Sequence, residues 1–136
     1  MQSGINAARL RVDGFVSLSA PLHSASGAAA IAVTRALRGA AGAARLELNV
    51  ATGGGGSLRV ELLQPDGTPI EGFSMAESVP MVIDSTNATA LWSSAPTAPA
   101  RWRLPKQAGA DGVGVQLRFE LVGAHLYSFR LGGGKA

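Results

Sequence analysis

Residues 44–73 read ARLELNVATGGGGSLRVELLQPDGTPIEGF, and their residue types spell strand, loop, strand, turn, strand. From Arg45 to Val50 and again from Leu58 to Leu62, apolar and polar side chains alternate, which places Leu46, Leu48, Val50, Leu58, Val60 and Leu62 on one face. That face predicts half of a core. Gln64-Pro65-Asp66-Gly67-Thr68 predicts a reversal into residues 69–73, because Pro presets φ at the first turn position, Asp bonds back to the backbone and Gly takes positive φ. The four glycines at 53–56 predict a slack hairpin connection. They are no phosphate loop, since no Lys-Ser/Thr follows and the next residues form a strand.

Toward the C-terminus Val113, Val115, Leu117, Phe119 and Leu121 alternate with Gly114, Gln116, Arg118 and Glu120. Gly123-Ala124 then reads as a turn into a last strand over 125–131. At the other end Leu10, Val12, Val16 and Leu18 alternate with polar neighbours, and Asp13-Gly14 predicts a bulge that turns Phe15 inward. Residues 28–37, AAAIAVTRAL, read as a strand on Ile31, Val33 and Thr34, although the alanines and Arg35 also tolerate helix. Ser74 and Glu77 have capping-box spacing for one short helical turn, which Pro80 stops. A short apolar stretch at 80–85 and a strand at 86–92 follow, and the proline-rich run 93–105 reads as a long loop. Loops of that length are uncommon unless they do something.

Short strands separated by turn signals, with no helix-length periodic segment, predict an all-β, two-sheet antiparallel β-sandwich of jelly-roll or Greek-key type. The 136 residues make one domain, with 1–6 as a polar leader and 132–136 as a flexible Gly-rich tail. The net charge of +3 comes with only 15% charged residues, and nucleic-acid binding would need a clustered cationic stripe. Arg45, Arg59 and Arg118 instead sit beside Glu47, Glu61 and Glu120, the pattern of cross-strand pairs on a solvated sheet face. Without cysteine there is no disulfide framework, thiolate nucleophile or thiolate metal cluster. No apolar run reaches the roughly 20 residues of a membrane helix, and residues 1–6 lack the features of a signal peptide, so localisation stays unassigned.

Catalytic and metal-ligating constellations are thin. Glu47 and Glu61, expected on adjacent strands, have the spacing for two-carboxylate glycoside hydrolysis, but their arginine neighbours favour paired surface charges. His23 and His125 are isolated, which argues against zinc and against a Ser-His base. No cofactor is expected; Asp66, Asp84 and Asp111 are the residues that structural calcium would use, without forming a recognised calcium loop. Asn87-Ala88-Thr89 fits a glycosylation sequon that matters only in an exported chain. Phe15, Phe73, Phe119 and Phe129 have core spacing, and Trp92 reads as core. That leaves Trp102, between Arg101 and Arg103 in the proline-rich loop, as the aromatic platform for a ligand.

Residues 58–74 (LRVELLQPDGTPIEGFS), Pro80 through Asp84-Ser85, Trp92 and 115–131 (VQLRFELVGAHLYSFRL) resemble the β-sandwich module appended to β-propeller glycosidase-like proteins. The resemblance reaches weakly to RVDGFVSL at 11–18 and rests mainly on turn and core signatures. It implies a non-catalytic accessory module associated with carbohydrate-active proteins, recognising a glycan weakly or positioning a neighbouring domain. Arg101, Trp102 and Arg103 are then the expected ligand-binding residues, with an anionic glycan favoured because two arginines flank the ring. The alternative is a structural module that docks to itself or to another chain through a sheet face or edge.

Overall fold

The computed structural model describes residues 9–23, 28–37, 43–93 and 114–133. Among the described residues five strands make one antiparallel sheet: β1 Leu18–Ala20, β2 Ala30–Val33, β3 Ala43–Leu63, β4 Asp84–Thr89 and β5 Gln116–Gly133. The order is β1-β5-β3-β4, with β2 also paired to β5. The described residues contain no helix, so the expected all-β class holds.

The two expected hairpins are replaced by one long ribbon. Residues 45–50 and 58–62 do not pair with each other; they are successive halves of β3, and residues 116–121 and 125–131 are successive halves of β5. Leu46 lies opposite Leu131 and Thr52 opposite Ala124; the ladder resumes with Ser57 opposite Val122 and ends with Leu63 opposite Gln116. Gly53 to Gly56 therefore stand opposite the single residue Gly123, as an enlarged bulge that bends both strands. Gly55 and Gly123 take φ of 79° and 50°, the left-handed region that favours glycine.

The bend divides the sheet into two arms. In the first, β1 covers residues 124–126 of β5 and β4 covers the outer edge of β3 from Glu47 to Ala51. In the second, β2 covers residues 118–121 of β5, while Met81 and Pro69 bridge to Leu58 and Leu63 of β3. The arms curl around a shared core. Leu46, Leu48 and Val50 from one join Leu58, Val60, Leu62, Leu117 and Phe119 from the other in a single buried cluster, and Phe119 meets Phe129 across the arms at 5.8 Å between ring centroids. Burying each such side chain contributes about 1.5–3 kcal/mol, so the alternation is what drives the curl. Trp92, in the core as expected, donates its indole N–H to the Val60 carbonyl at 3.1 Å and packs edge-on against Phe73.

Local turn chemistry behaves as the residues dictate. Gly67 donates to the Gln64 carbonyl at 2.9 Å with φ of 89°, and Asp66 Oδ1 accepts from the Thr68 N–H and hydroxyl. The strand expected over residues 69–73 shrinks to one bridge, because Gly72 (φ 85°) and the Phe73 N–H bond to Ile70 turn the chain again. Glu77 accepts from the Ser74 N–H and hydroxyl, closing the expected single helical turn. The strand expectation for 28–37 is met by β2, and that for 86–92 moves earlier, to β4.

The N-terminal expectation fails. Leu10, Val12 and Val16 are exposed, and Phe15, expected inward, is 86% exposed. Asp13-Gly14 is a tight turn closed by the Gly14 N–H on the Arg11 carbonyl, with Asp13 at φ 54°. The physical reason is anchorage by side chains: Arg11 and Asn49 hold this segment on the sheet's polar face instead of in its ladder.

Candidate functional site: a polar cleft beneath the N-terminal segment

Alternation along β3 points Glu47 and Asn49 away from the core, and their partners on β5, Arg130 and Ser128, point the same way. Across this face runs the segment from Arg11 to Ser17. Arg11 fastens it by three contacts: Nη1 lies 2.7 Å from Asp84 Oδ1, Nη2 donates to the Val50 carbonyl at 3.2 Å, and the guanidinium sits 4.6 Å from the Tyr127 ring centroid. A guanidinium over an aromatic face is attracted by the ring quadrupole, and its fork geometry lets it hold the carboxylate and carbonyl together.

A fourth contact comes from the sheet itself. Asn49 Nδ2 donates to the Val12 carbonyl. That bond fixes which way the amide faces, since the opposite orientation would bring two oxygens together. Asn49 is 3% exposed, and its Oδ1 is buried with no hydrogen-bond partner. A buried acceptor left unpaired loses its hydration without compensation.

This residue lines a cleft of about 420 Å³ between the turn at Val12-Asp13 and the polar face. Asp13 stands at the rim, Thr86 and Ser128 contribute hydroxyls, and Phe129 borders the cleft between Ser128 and Arg130 with its ring turned to the core face, against Phe119. Glu47 and Arg130 form the floor as a pair: Arg130 Nε donates to Glu47 Oε2 at 3.0 Å with Nη2 on the same oxygen, and Arg45 Nε lies 3.0 Å from Oε1. The Arg130 hydrogen bond, helped by the charges of Arg130 and Arg45, holds the Glu47 carboxyl below the usual range against the opposing effect of its burial. Phe129 and Ser128 also border a second, apolar groove of about 420 Å³, walled by Val16, Leu18, Val33, Phe119 and Leu126, where the two arms stay open to solvent.

The residues singled out by sequence fall elsewhere. Arg101, Trp102 and Arg103 lie outside the described residues, as does Asp111. Glu47 and Glu61 are not on adjacent strands: both belong to β3, one on each arm, because the glycine run bends that strand without reversing it. Glu61 is also not on a solvated face; it is 3% exposed, with Oε1 3.1 Å from Arg118 Nη1 and Oε2 accepting from the Met75 N–H. The expected pairing of Glu61 with Arg118 is present, and Arg59 stands opposite Glu120. His125 is 3.3 Å from the Ser17 hydroxyl and stacks on Tyr127. Of the residues named for calcium, Asp84 is paired with Arg11 and Asp66 with Thr68; among the described residues no three His, Asp or Glu gather around a common point.

Asn49 and Asp13 are the residues that sequence reasoning misses. Asn49 occupies an ordinary outward position of an alternating strand, and the Asp13-Gly14 pair signals a turn able to overhang a sheet as readily as the bulge expected there. No family model matches the chain, and no curated protein or solved structure does either.

Proposed function

We propose that the chain is a non-catalytic accessory module of carbohydrate-active proteins, of the kind appended to β-propeller glycosidase-like proteins, and that it recognises a glycan weakly. On this reading the curled sheet is a jelly-roll or Greek-key sandwich whose two arms serve as its layers. One observation carries the reading: Asn49, with its buried and unpartnered Oδ1, lines a cleft that also holds Asp13 and the hydroxyls of Thr86 and Ser128. Sugar sites use planar polar groups to fix the hydroxyls of the ring, and the cleft brings residues of that kind together. Arg101, Trp102 and Arg103 remain a second candidate surface for the same ligand class.

A module of this size with few polar groups binds with a dissociation constant on the order of a millimolar, about 4 kcal/mol, so useful affinity comes from several copies or a fused domain. The test is a glycan panel titrated into the 15N-labelled protein. Saturable shifts with at least one glycan are expected; none with any would reject the reading. The rival, an assembly module, draws on the apolar groove bordered by exposed Val16, Leu18 and Val33. A sedimentation coefficient that rises with concentration, without glycan binding, would favour it.

A further inference from the structure

Independently of the glycan reading, we propose that the outer edge of β5 from Tyr127 to Leu131, with the apolar groove beside it, docks an extended strand of another protein whose side chains alternate between apolar and acidic.

The two edges of β5 are covered unevenly. On one, β3 pairs with it from Gln116 to Gly133; on the other, β2 covers 118–121 and β1 covers 124–126. Beyond Leu126 no described residue pairs with that outer edge. The N-terminal segment is the reason. Continuing β1 backward from Leu18 would lay it along the edge, but Arg11 and Asn49 hold it over the polar face instead. An open strand edge is a row of backbone N–H and C=O groups ready to pair with another chain. The usual guards are thin here: residues 127–131, Tyr-Ser-Phe-Arg-Leu, hold no proline and a single charge, and Tyr and Phe favour strand pairing.

The groove and the polar face dictate what the incoming strand carries. Phe119, Leu126 and Phe129 of β5 line the groove on the core face, together with the exposed Val16, Leu18 and Val33. Side chains of a strand paired to β5 alternate between the two faces of the sheet. One set then lies in the groove beside Phe129 and is apolar; the other lies beside Arg130. Arg130 and Arg45 share the single carboxylate of Glu47, so N–H groups of both remain uncommitted. Arg35, next to the groove residue Thr34, is exposed with no ion-pair partner among the described residues. Around the edge Arg35, Arg45 and Arg130 thus outnumber Glu47 and the exposed Asp13. A second copy of this chain would bring the same surplus of arginine to the junction, which repulsion disfavours, whereas acidic side chains complement it.

The experiment titrates 15N-labelled protein with three short synthetic peptides: valine alternating with glutamate, valine alternating with lysine, and the glutamate peptide with a central proline. Expected with the glutamate peptide are saturable shifts at Val33 and Tyr127 to Leu131, with slowed hydrogen exchange of amides in that stretch of β5. The lysine peptide should bind about fivefold more weakly, and the proline peptide, which lacks a ladder N–H, about tenfold. Val33→Glu, at an exposed position, should weaken the glutamate peptide about tenfold, and Arg130→Gln should erase its advantage over the lysine peptide. Retained amide dispersion controls for folding, and Val33→Glu decides if Arg130→Gln fails to fold. No binding by any peptide, shifts confined to other residues, or undiminished binding by Val33→Glu overturns the inference. Equal binding of the lysine peptide overturns the acidic preference, and equal binding of the proline peptide overturns the strand geometry. Sedimentation that rises with concentration, with the edge amides protected in the absence of peptide, assigns the edge to a second copy and overturns the proposed partner. The glycan reading stands or falls on different ligands.

Discussion

Gly56 and Gly123 lie backbone to backbone where β3 and β5 bend: a Cβ on Gly56 would sit 2.8 Å from the Val122 carbonyl oxygen and closer still to that of Gly123. The contact is between main chains, so no side-chain rotation relieves it. Gly56→Ala should therefore push the two longest strands apart and cost about 1–3 kcal/mol, the usual penalty for overpacking. Gly54, two residues away in the same run, has open space where an alanine methyl would stand, with nothing within 4 Å, and Gly54→Ala should change stability by less than about 0.5 kcal/mol. Urea unfolding of the two variants checks the pair; equal midpoints would mean that the strands do not bend at this contact.

Val60 is the hinge of a second prediction because it is held on three sides. Its side chain is 1% exposed, its N–H donates to the buried Ser78 hydroxyl at 3.0 Å, and its carbonyl accepts from Trp92. Val60→Asp would bury an unpaired carboxylate and should remove several kcal/mol, a large part of the roughly 5–15 kcal/mol a domain possesses. Ser78→Ala leaves a buried N–H without an acceptor and should cost about 1–3 kcal/mol. Arg59→Ala, beside Val60 but on the opposite face, should cost under about 1 kcal/mol. Thermal unfolding that ranks the three differently would show the wrong face buried.

The legible parts of this fold are the local ones. Leu46 to Val50 and Leu58 to Leu62 declare their inward face, and Pro65-Asp66-Gly67 declares a reversal, because each signal is written within a few residues of where it acts. Pairing is not legible, since Leu48 meets Phe129 and Val60 meets Phe119 over separations that no local pattern encodes. The glycine runs mislead for the same reason: a turn and a bulge use the same residues, and only the partner strand decides between them. The cleft is hidden one step deeper. Asn49 becomes a buried, unpartnered acceptor only when Arg11 anchors the N-terminal segment over it, through contacts to Asp84, Val50 and Tyr127 scattered along the chain.

Glu47 should make the cleft's floor sensitive to acid. Arg130 and Arg45 hold its folded pKa below the unfolded value of about 4.3, so its stabilising effect is complete above that pH and is lost as pH falls through the folded pKa. Both arginines are solvent-exposed, which limits the effect to about 1 kcal/mol. Glu47→Gln should therefore lower stability at pH 7, with the difference from the parent shrinking as the solution is acidified below the carboxylate range. A carboxyl titration of Glu47 by NMR with a midpoint above the ordinary glutamate value would contradict the pairing.

Glu61 supplies the last prediction, because it is the carboxylate a hydrolytic reading would need as a partner for Glu47. Glycoside hydrolysis places two carboxyl groups about 5–9.5 Å apart on either side of the scissile bond, one free to give a proton and the other to attack or to activate water. Glu61 has neither access nor freedom: it is 3% exposed, one oxygen faces Arg118 and the other accepts from the Met75 N–H, and it borders neither the polar cleft nor the apolar groove. Glu47 is bound by two arginines on the other arm of β3. Purified protein should release no aglycone from aryl glycosides above the uncatalysed rate, and Glu61→Gln should register only as a loss of stability of about 1–2 kcal/mol from the weakened bonds to Arg118 and Met75. Turnover that survives repurification and disappears in Glu61→Gln, with that variant still folded, would make Glu61 a catalytic group and the accessory-module reading wrong.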